Sequence, residues 1–177
     1  ADVAGELPPA LKKLGVDVEI VTPLYRVIDS TSYDDEPQSE YTLSFKGKDG
    51  TARIEAVQVH TGELDGVPVN FVGNRTYFEG KYRQPYIHSE EIAFYDDVLR
   101  FSFFSEACLQ LIKDKNPDIV HINDWVLGYL FGRMVMEGMT QKRVLTVHNI
   151  GYQGNIGQET IKDWEITRIL NDESIGH

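Results

Sequence analysis

Asp118-Ile119-Val120-His121-Ile122-Asn123-Asp124-Trp125 and, further along, Arg143-Val144-Leu145-Thr146-Val147-His148-Asn149 are two short apolar runs, each ending in a cluster of polar groups. Short runs rich in β-branched residues and bounded by polar breaks are typical of strands buried in a parallel sheet. Between them, residues 125–137 carry a helical pattern that stops at Gly138. Strand, helix, strand in that order makes a βαβ unit, and a βαβ unit makes a parallel sheet.

The pattern extends upstream. From about Asp96 a long helix is predicted, with Asp96 and Asp97 in its first turn and Val98, Phe101, Phe104, Ala107, Cys108, Leu111 and Ile112 on one face. Asn116-Pro117 ends it. At the start of the chain Val3, Leu7, Ala10, Leu11 and Leu14 recur at helical spacing before Gly15, but Pro8 and Pro9 lack an N–H, so the regular part is expected to begin only there. Residues 16–23 alternate apolar and polar up to Pro23 and predict a strand. A helix running straight into a strand is the second half of a βαβ unit. The strand that would open it is not in the sequence, so the chain is expected to start late.

Residues 29–38 are acidic and polar and predict an exposed loop. Residues 41–45, 53–60 and 67–72 read as strands joined by turn-forming residues at 46–50 and 64–66, an antiparallel meander or hairpin inserted into the α/β pattern. Residues 73–89 hold Tyr77, Phe78, Tyr82, Tyr86 and several cations among glycines and a proline, an irregular loop of the kind that carries ligands. Residues 158–170 predict a last helix with Ile161, Trp164 and Ile169 inward. The fold class is α/β: a Rossmann-like, doubly wound, mostly parallel sheet with an antiparallel insertion.

Composition narrows the functions. With 41% apolar and 11% aromatic residues over 177 positions, the chain can bury a core. Seventeen Lys and Arg against 28 Asp and Glu leave a net charge of −11, which argues against nucleic acid or an anionic membrane as partner. Cys108 stands alone, so neither an internal disulfide nor a thiolate metal cluster is available, and on an apolar helix face it reads as inert packing.

In an open parallel sheet, ligands bind outside the carboxyl ends of the strands. That rule selects His121, Asn123, Asp124 and Trp125 after the first run and His148, Asn149, Tyr152 and Gln153 after the second. Carboxylates, amides and imidazoles hydrogen-bond hydroxyls, and aromatic faces cover C–H faces, so the set suits a sugar. Plainer readings stand beside it: Asp124 as a helix N-cap, His121 as a satisfied core histidine, Asn74-Arg75-Thr76 as a chance match to a glycosylation pattern. Metal binding by His121, Asp124 and His148 is a further reading, but their spacing has no dense ligand pattern.

The same residues carry a resemblance. Ala1-Asp2-Val3-Ala4-Gly5-Glu6-Leu7-Pro8, His121-Ile122-Asn123-Asp124-Trp125 and Thr146-Val147-His148-Asn149-Ile150-Gly151-Tyr152-Gln153-Gly154 resemble the N-terminal catalytic domain of glycogen synthases and starch synthases. The stretch around Arg100-Phe101-Ser102-Phe103-Phe104-Ser105 is similar to the helix these enzymes place before the second motif.

The resemblance implies the N-terminal half of a GT-B fold and a retaining glucosyltransferase. Such enzymes move glucose from ADP-glucose, or in some members UDP-glucose, to the non-reducing end of an α-1,4-glucan, without a metal or other cofactor. It implies that His148 bonds the donor glucose near its 6-hydroxyl and that Asp124 lies beside the transferred sugar. Asp2 would border the donor and acceptor pocket, with Tyr77 approaching from the variable loop. Trp125, Asn149, Tyr152 and Gln153 complete the expected substrate-binding set. The family's Lys-Thr-Gly-Gly loop and its second, nucleotide-holding Rossmann domain are absent from residues 1–177, so this polypeptide alone is expected to be inactive. A cytoplasmic enzyme, or a plastid one in a plant, is expected. Another GT-B glycosyltransferase with a different nucleotide sugar or acceptor, and a non-catalytic sugar-binding α/β module, remain open alternatives at this point.

Overall fold

The computed structural model describes residues 2–46, 52–79, 93–149 and 151. It divides into two compact units, one made of residues 1–43 and 55–87, the other of residues 44–54 and 88–177.

In the first unit, helix α1 spans Asp2–Lys13 and carries Pro8 and Pro9 inside it, so it starts earlier than the prolines led us to expect. The buried ring of Pro9 contributes packing that offsets the lost backbone bonds. The helix closes as a Schellman motif: the Gly15 amide donates to the Lys12 carbonyl at 2.9 Å and the Val16 amide to the Leu11 carbonyl at 3.1 Å, with Gly15 at φ +84°. Lys12 Nζ donates to the carbonyl of Gly66.

Four strands follow: β1 (Ile20–Pro23), β2 (Ser39–Lys46), β3 (Ala52–Leu64) and β4 (Val67–Gly73), in the order β1-β4-β3-β2. β1 is shorter than residues 16–23 because its partner sets the length: Ile20 pairs with Val69 and Pro23 with Val72, in parallel. β3 and β4 are antiparallel and turn at Asp65-Gly66, both at positive φ, the pair a tight hairpin requires. β4, flanked on both sides, is buried at every residue but Pro68. Leu24, Val69 and Phe71 form a core with Ile20, Ile28 and Tyr33.

The acidic loop is anchored to β3. Asp29 accepts at Oδ1 from the Thr31 amide, opening a 3-10 turn at Ser30–Ser32, and Tyr33 bridges Gly62. Part of the loop expected to be irregular is regular: Arg75–Glu79 forms one π-helical turn. Asn74 holds it, since its Oδ1 accepts from the amides of Thr76 and Tyr77 at 2.9 and 3.0 Å and its Nδ2 donates to the Ala56 carbonyl at 2.7 Å. Asn74 is buried and its amide is committed, so the chance reading of Asn-Arg-Thr is the right one. Residues 80–92 lie outside the described residues.

In the second unit, helix α2 spans Ala93–Lys115 and begins before the acidic pair. Beyond the predicted apolar face, Ser102, Phe103, Ser105 and Leu109 are buried as well. A helix covered on nearly all sides is an interior element. The Ser105 hydroxyl is satisfied by the Phe101 carbonyl at 2.8 Å, and burial pushes the Cys108 thiol far above its ordinary value, which keeps it protonated and inert. Strand β5 (Ile119–Asn123), a 3-10 turn (Trp125–Leu127), helix α3 (Gly128–Met136) and strand β6 (Lys142–Thr146) complete the βαβ unit. A second Schellman closure ends α3: Gly138, at φ +66°, donates to the Val135 carbonyl and Met139 to that of Met134, both at 2.9 Å.

β5 and β6 are parallel, with Ile119 opposite Lys142 and Asn123 opposite Thr146. The described strands form a four-stranded ladder and a two-stranded one, and each holds a parallel pair, in keeping with the expected α/β class. One expectation needs correcting. The β6 run, expected to be buried, leaves Val144 and Leu145 exposed: successive strand residues face opposite ways, and among the described residues nothing buries either of these two side chains. The helix expected at residues 158–170 lies outside the described residues. Among the described residues no helix is long and apolar enough to cross a membrane.

Ion pairs join α2 to α3. Glu106 accepts from Arg133 Nε at 2.6 Å and from the Tyr129 hydroxyl at 2.9 Å; Glu137 accepts from Lys113 at 2.9 Å. The Lys113 hydrogen bond, aided by Arg133, holds the Glu137 carboxyl below its ordinary 4.5 despite partial desolvation. A depressed carboxyl stabilises the fold above its unfolded value and loses that contribution as pH falls through the folded one. Glu137→Gln should therefore flatten the loss of stability on acidification below about pH 4.5 while costing about 0.5 kcal/mol or less at neutrality, because the pair is solvent-screened. Urea midpoints measured across that range check it.

Candidate functional site

The carboxyl ends of β5 and β6 meet in the second unit, and the parallel register decides what meets there. Asn123 lies opposite Thr146, so the two residues after each strand emerge side by side. Three hydrogen bonds lace the ends together: the Asp124 amide donates to the Thr146 carbonyl at 2.7 Å, His121 Nε2 bonds Thr146 Oγ1 at 2.7 Å, and His148 Nε2 lies 2.9 Å from Asn123 Oδ1.

Asp124 has the least ordinary environment. Its backbone sits at φ 68°, ψ 174°, a region tolerated essentially only by glycine and costing roughly 1–3 kcal/mol for other residues. It precedes the 3-10 turn but makes no side-chain capping bond, so the N-cap reading does not hold. Its Oδ1 is enclosed and, among the described residues, has no hydrogen-bond partner. An enclosed, unpaired carboxylate oxygen costs about 1–3 kcal/mol or more. Strain and an unmet acceptor on one residue are the pattern expected where a ligand supplies the missing donor.

His148 is exposed, and its imidazole is held on one nitrogen by Asn123. His121 is exposed too, satisfied by Thr146 on the open face of the ladder, so it is not a core histidine. Trp125 is half-buried, its ring edge-on to Phe101 at 6.4 Å, which ties the turn to α2. Asn149 accepts from the Gly151 amide at 2.9 Å and shapes the loop after β6. Tyr152 and Gln153 lie outside the described residues.

Two expected site residues belong to the first unit. Asp2 opens α1. Tyr77 is buried on the π turn, with its hydroxyl donating to Glu55 Oε1 at 3.2 Å. The structure thus brings Asp124, Trp125, His148 and Asn149 to one strand-end cluster. Asn123 is the member the sequence placed at the edge without giving it a role. The signal that identifies it is the parallel register, which sets it beside the residue leading to His148. Among the described residues no group of three or more His, Cys, Asp or Glu side chains is arranged to hold a metal ion.

An α/β chain with parallel strands and its polar cluster at their carboxyl ends belongs to the broad class of sheet-edge ligand binders. Comparison with known proteins narrows that class. The family model described as the starch synthase catalytic domain matches residues 1–175. The chain belongs to that family. It is 34% identical to the glycogen synthase of Finegoldia magna over 178 residues, covering 94% of this chain and 34% of that protein. The glycogen synthase of Caldicellulosiruptor bescii is 35% identical over 172 residues, covering 92% of this chain and 33% of its own length. Among solved structures, the catalytic domain of starch synthase IV from Arabidopsis thaliana, bound to ADP and acarbose, superposes with a TM-score of 0.67 at 26% identity, covering 90% of this chain and 32% of that one. The chain spans about a third of the length of the relatives it matches.

Proposed function

We propose that the protein carrying this chain is a retaining glucosyltransferase that transfers glucose from ADP-glucose, or UDP-glucose, to the non-reducing end of an α-1,4-glucan. The chain is read as part of the N-terminal Rossmann-like domain, which lines the sugar side of a cleft, with the nucleotide held by a domain outside residues 1–177. Family membership supports this reading, and so does the ADP in the Arabidopsis starch synthase. The observation that carries it is Asp124, whose strained backbone and enclosed, unpartnered carboxylate oxygen are explained by a hydroxyl-bearing ligand.

His148 and Asp124 act as the catalytic pair in this reading. His148 bonds a donor hydroxyl, and Asp124 accepts from the sugar or incoming acceptor and faces charge that develops as the sugar–phosphate bond breaks. Asp2, Tyr77, Trp125, Asn149, Tyr152 and Gln153 serve as substrate-binding positions. The contribution of such groups is orientation and preorganised polarity. No cofactor enters the reading, and the enzyme works in the cytoplasm, or in the plastid of a plant.

The test is glucose transfer to glycogen by the whole protein with each nucleotide sugar. We expect transfer from at least one donor, a drop of roughly 10²–10³-fold in His148→Ala, and none from the 177-residue chain alone. An inactive parent, or a fully active His148→Ala, overturns the reading. Glucan binding without transfer would point to a sugar-binding module instead.

A further inference from the structure

We infer that Asn123 is a positioning residue that fixes the tautomer of His148, so that Nδ1 is presented as a hydrogen-bond acceptor toward a sugar hydroxyl. His148's role as a sugar ligand rests on the reading above; the tautomer does not.

Donor and acceptor counts decide the tautomer. The oxygen of an Asn side chain only accepts, whereas a neutral imidazole carries one N–H and one lone pair. His148 Nε2 lies 2.9 Å from Asn123 Oδ1, so Nε2 is the nitrogen that bears the proton and donates. The proton cannot also be on Nδ1, which is left as an acceptor. An acceptor at that atom takes an O–H and rejects another acceptor, which gives the site a chemical preference for a hydroxyl.

Asn123 is suited to the task because it is itself fixed. It is the last residue of β5, paired in parallel with Thr146. On the same face His121 Nε2 bonds Thr146 Oγ1 at 2.7 Å, and the next residue's amide bonds the Thr146 carbonyl. The amide therefore projects from a strand end held at adjacent points, while the exposed imidazole it holds lies on the segment after β6, with no strand of its own. Holding one ring nitrogen from a rigid neighbour sets both tautomer and ring orientation, as partners of ligating histidines do elsewhere.

The test combines side-chain nitrogen NMR of His148 with kinetics, both on the whole protein. At a pH where the ring is neutral, His148 should show the Nε2–H form. Asn123→Ala should give a mixture of the two tautomers and lower kcat roughly tenfold to a hundredfold. Asn123→Asp, which keeps an acceptor at the same place, should retain the Nε2–H form and most of the activity of the parent. A parent in the Nδ1–H form overturns the inference, as does an Asn123→Ala protein with an unchanged tautomer. Should Asn123→Ala fail to fold, the parent's tautomer and the Asn123→Asp comparison decide. A protein that transfers no glucose but shows the Nε2–H form would sink the functional reading and leave this one standing.

Discussion

Asp124→Gly is expected to make the protein more stable and a poorer catalyst. At φ 68°, ψ 174° a side chain is strained and glycine is not, so the substitution recovers roughly 1–3 kcal/mol of backbone strain. It also removes a carboxylate oxygen that is enclosed without a partner. Against this stands about 0.5–1 kcal/mol for the greater freedom of glycine in the unfolded chain. The net gain should be about 1–2 kcal/mol in denaturant unfolding. Asp124→Ala keeps the strained backbone, so it should gain clearly less. The same carboxylate is the group we place beside the transferred sugar, so both variants should lose transfer by roughly 10²–10³-fold. A glycine variant no more stable than the alanine one would show that the backbone there is not strained. Full activity in either would remove Asp124 from the site.

That opposition between stability and activity explains why the site was only partly legible in the sequence. Periodicity located the strands, because an apolar run ending in polar residues has few other solutions, and the sheet-edge rule then selected Asp124 and His148. Periodicity says nothing about φ, so the strain at Asp124 was invisible, and local chemistry made an N-cap a reasonable expectation. Asn123 gained its role only through the register with β6, a contact between residues far apart in the chain. The same limit applied elsewhere. Pro8 and Pro9 argued against a helix that forms regardless, because local propensity does not count the packing of a proline ring. The π turn at Arg75–Glu79 is held by one buried amide, Asn74, and composition could show only that the stretch was aromatic. The two Schellman glycines were legible, since positive φ after a helix leaves a residue-type signature.

The largest loss of stability should come from a position with no side chain at all. A Cβ on Gly62 would lie 2.1 Å from the Ser32 carbonyl oxygen and 3.0 Å from Phe71 Cε2. The first contact is with backbone, so no rotamer change relieves it; either β3 shifts or the loop before β2 lifts away. Lifting the loop exposes a cluster that includes the Asp34 amide on the Thr61 carbonyl, the Thr61 hydroxyl on Asp34 Oδ2, and His60 Nδ1 on the Asp34 carbonyl, each at 2.8 Å. It also separates Tyr33 from the rings of His60 and Phe71. At a net 0.5–1.5 kcal/mol or so for each hydrogen bond, Gly62→Ala should destabilise the protein by about 3 kcal/mol. Gly5→Ala provides the contrast. It lies inside α1 with nothing within 4 Å of an added Cβ, so the same change there should stabilise by about 0.5–1 kcal/mol. Urea unfolding of the two variants beside the parent checks both signs. Equal effects at the two sites would mean that the loop does not rest on β3 as closely as the backbone places it.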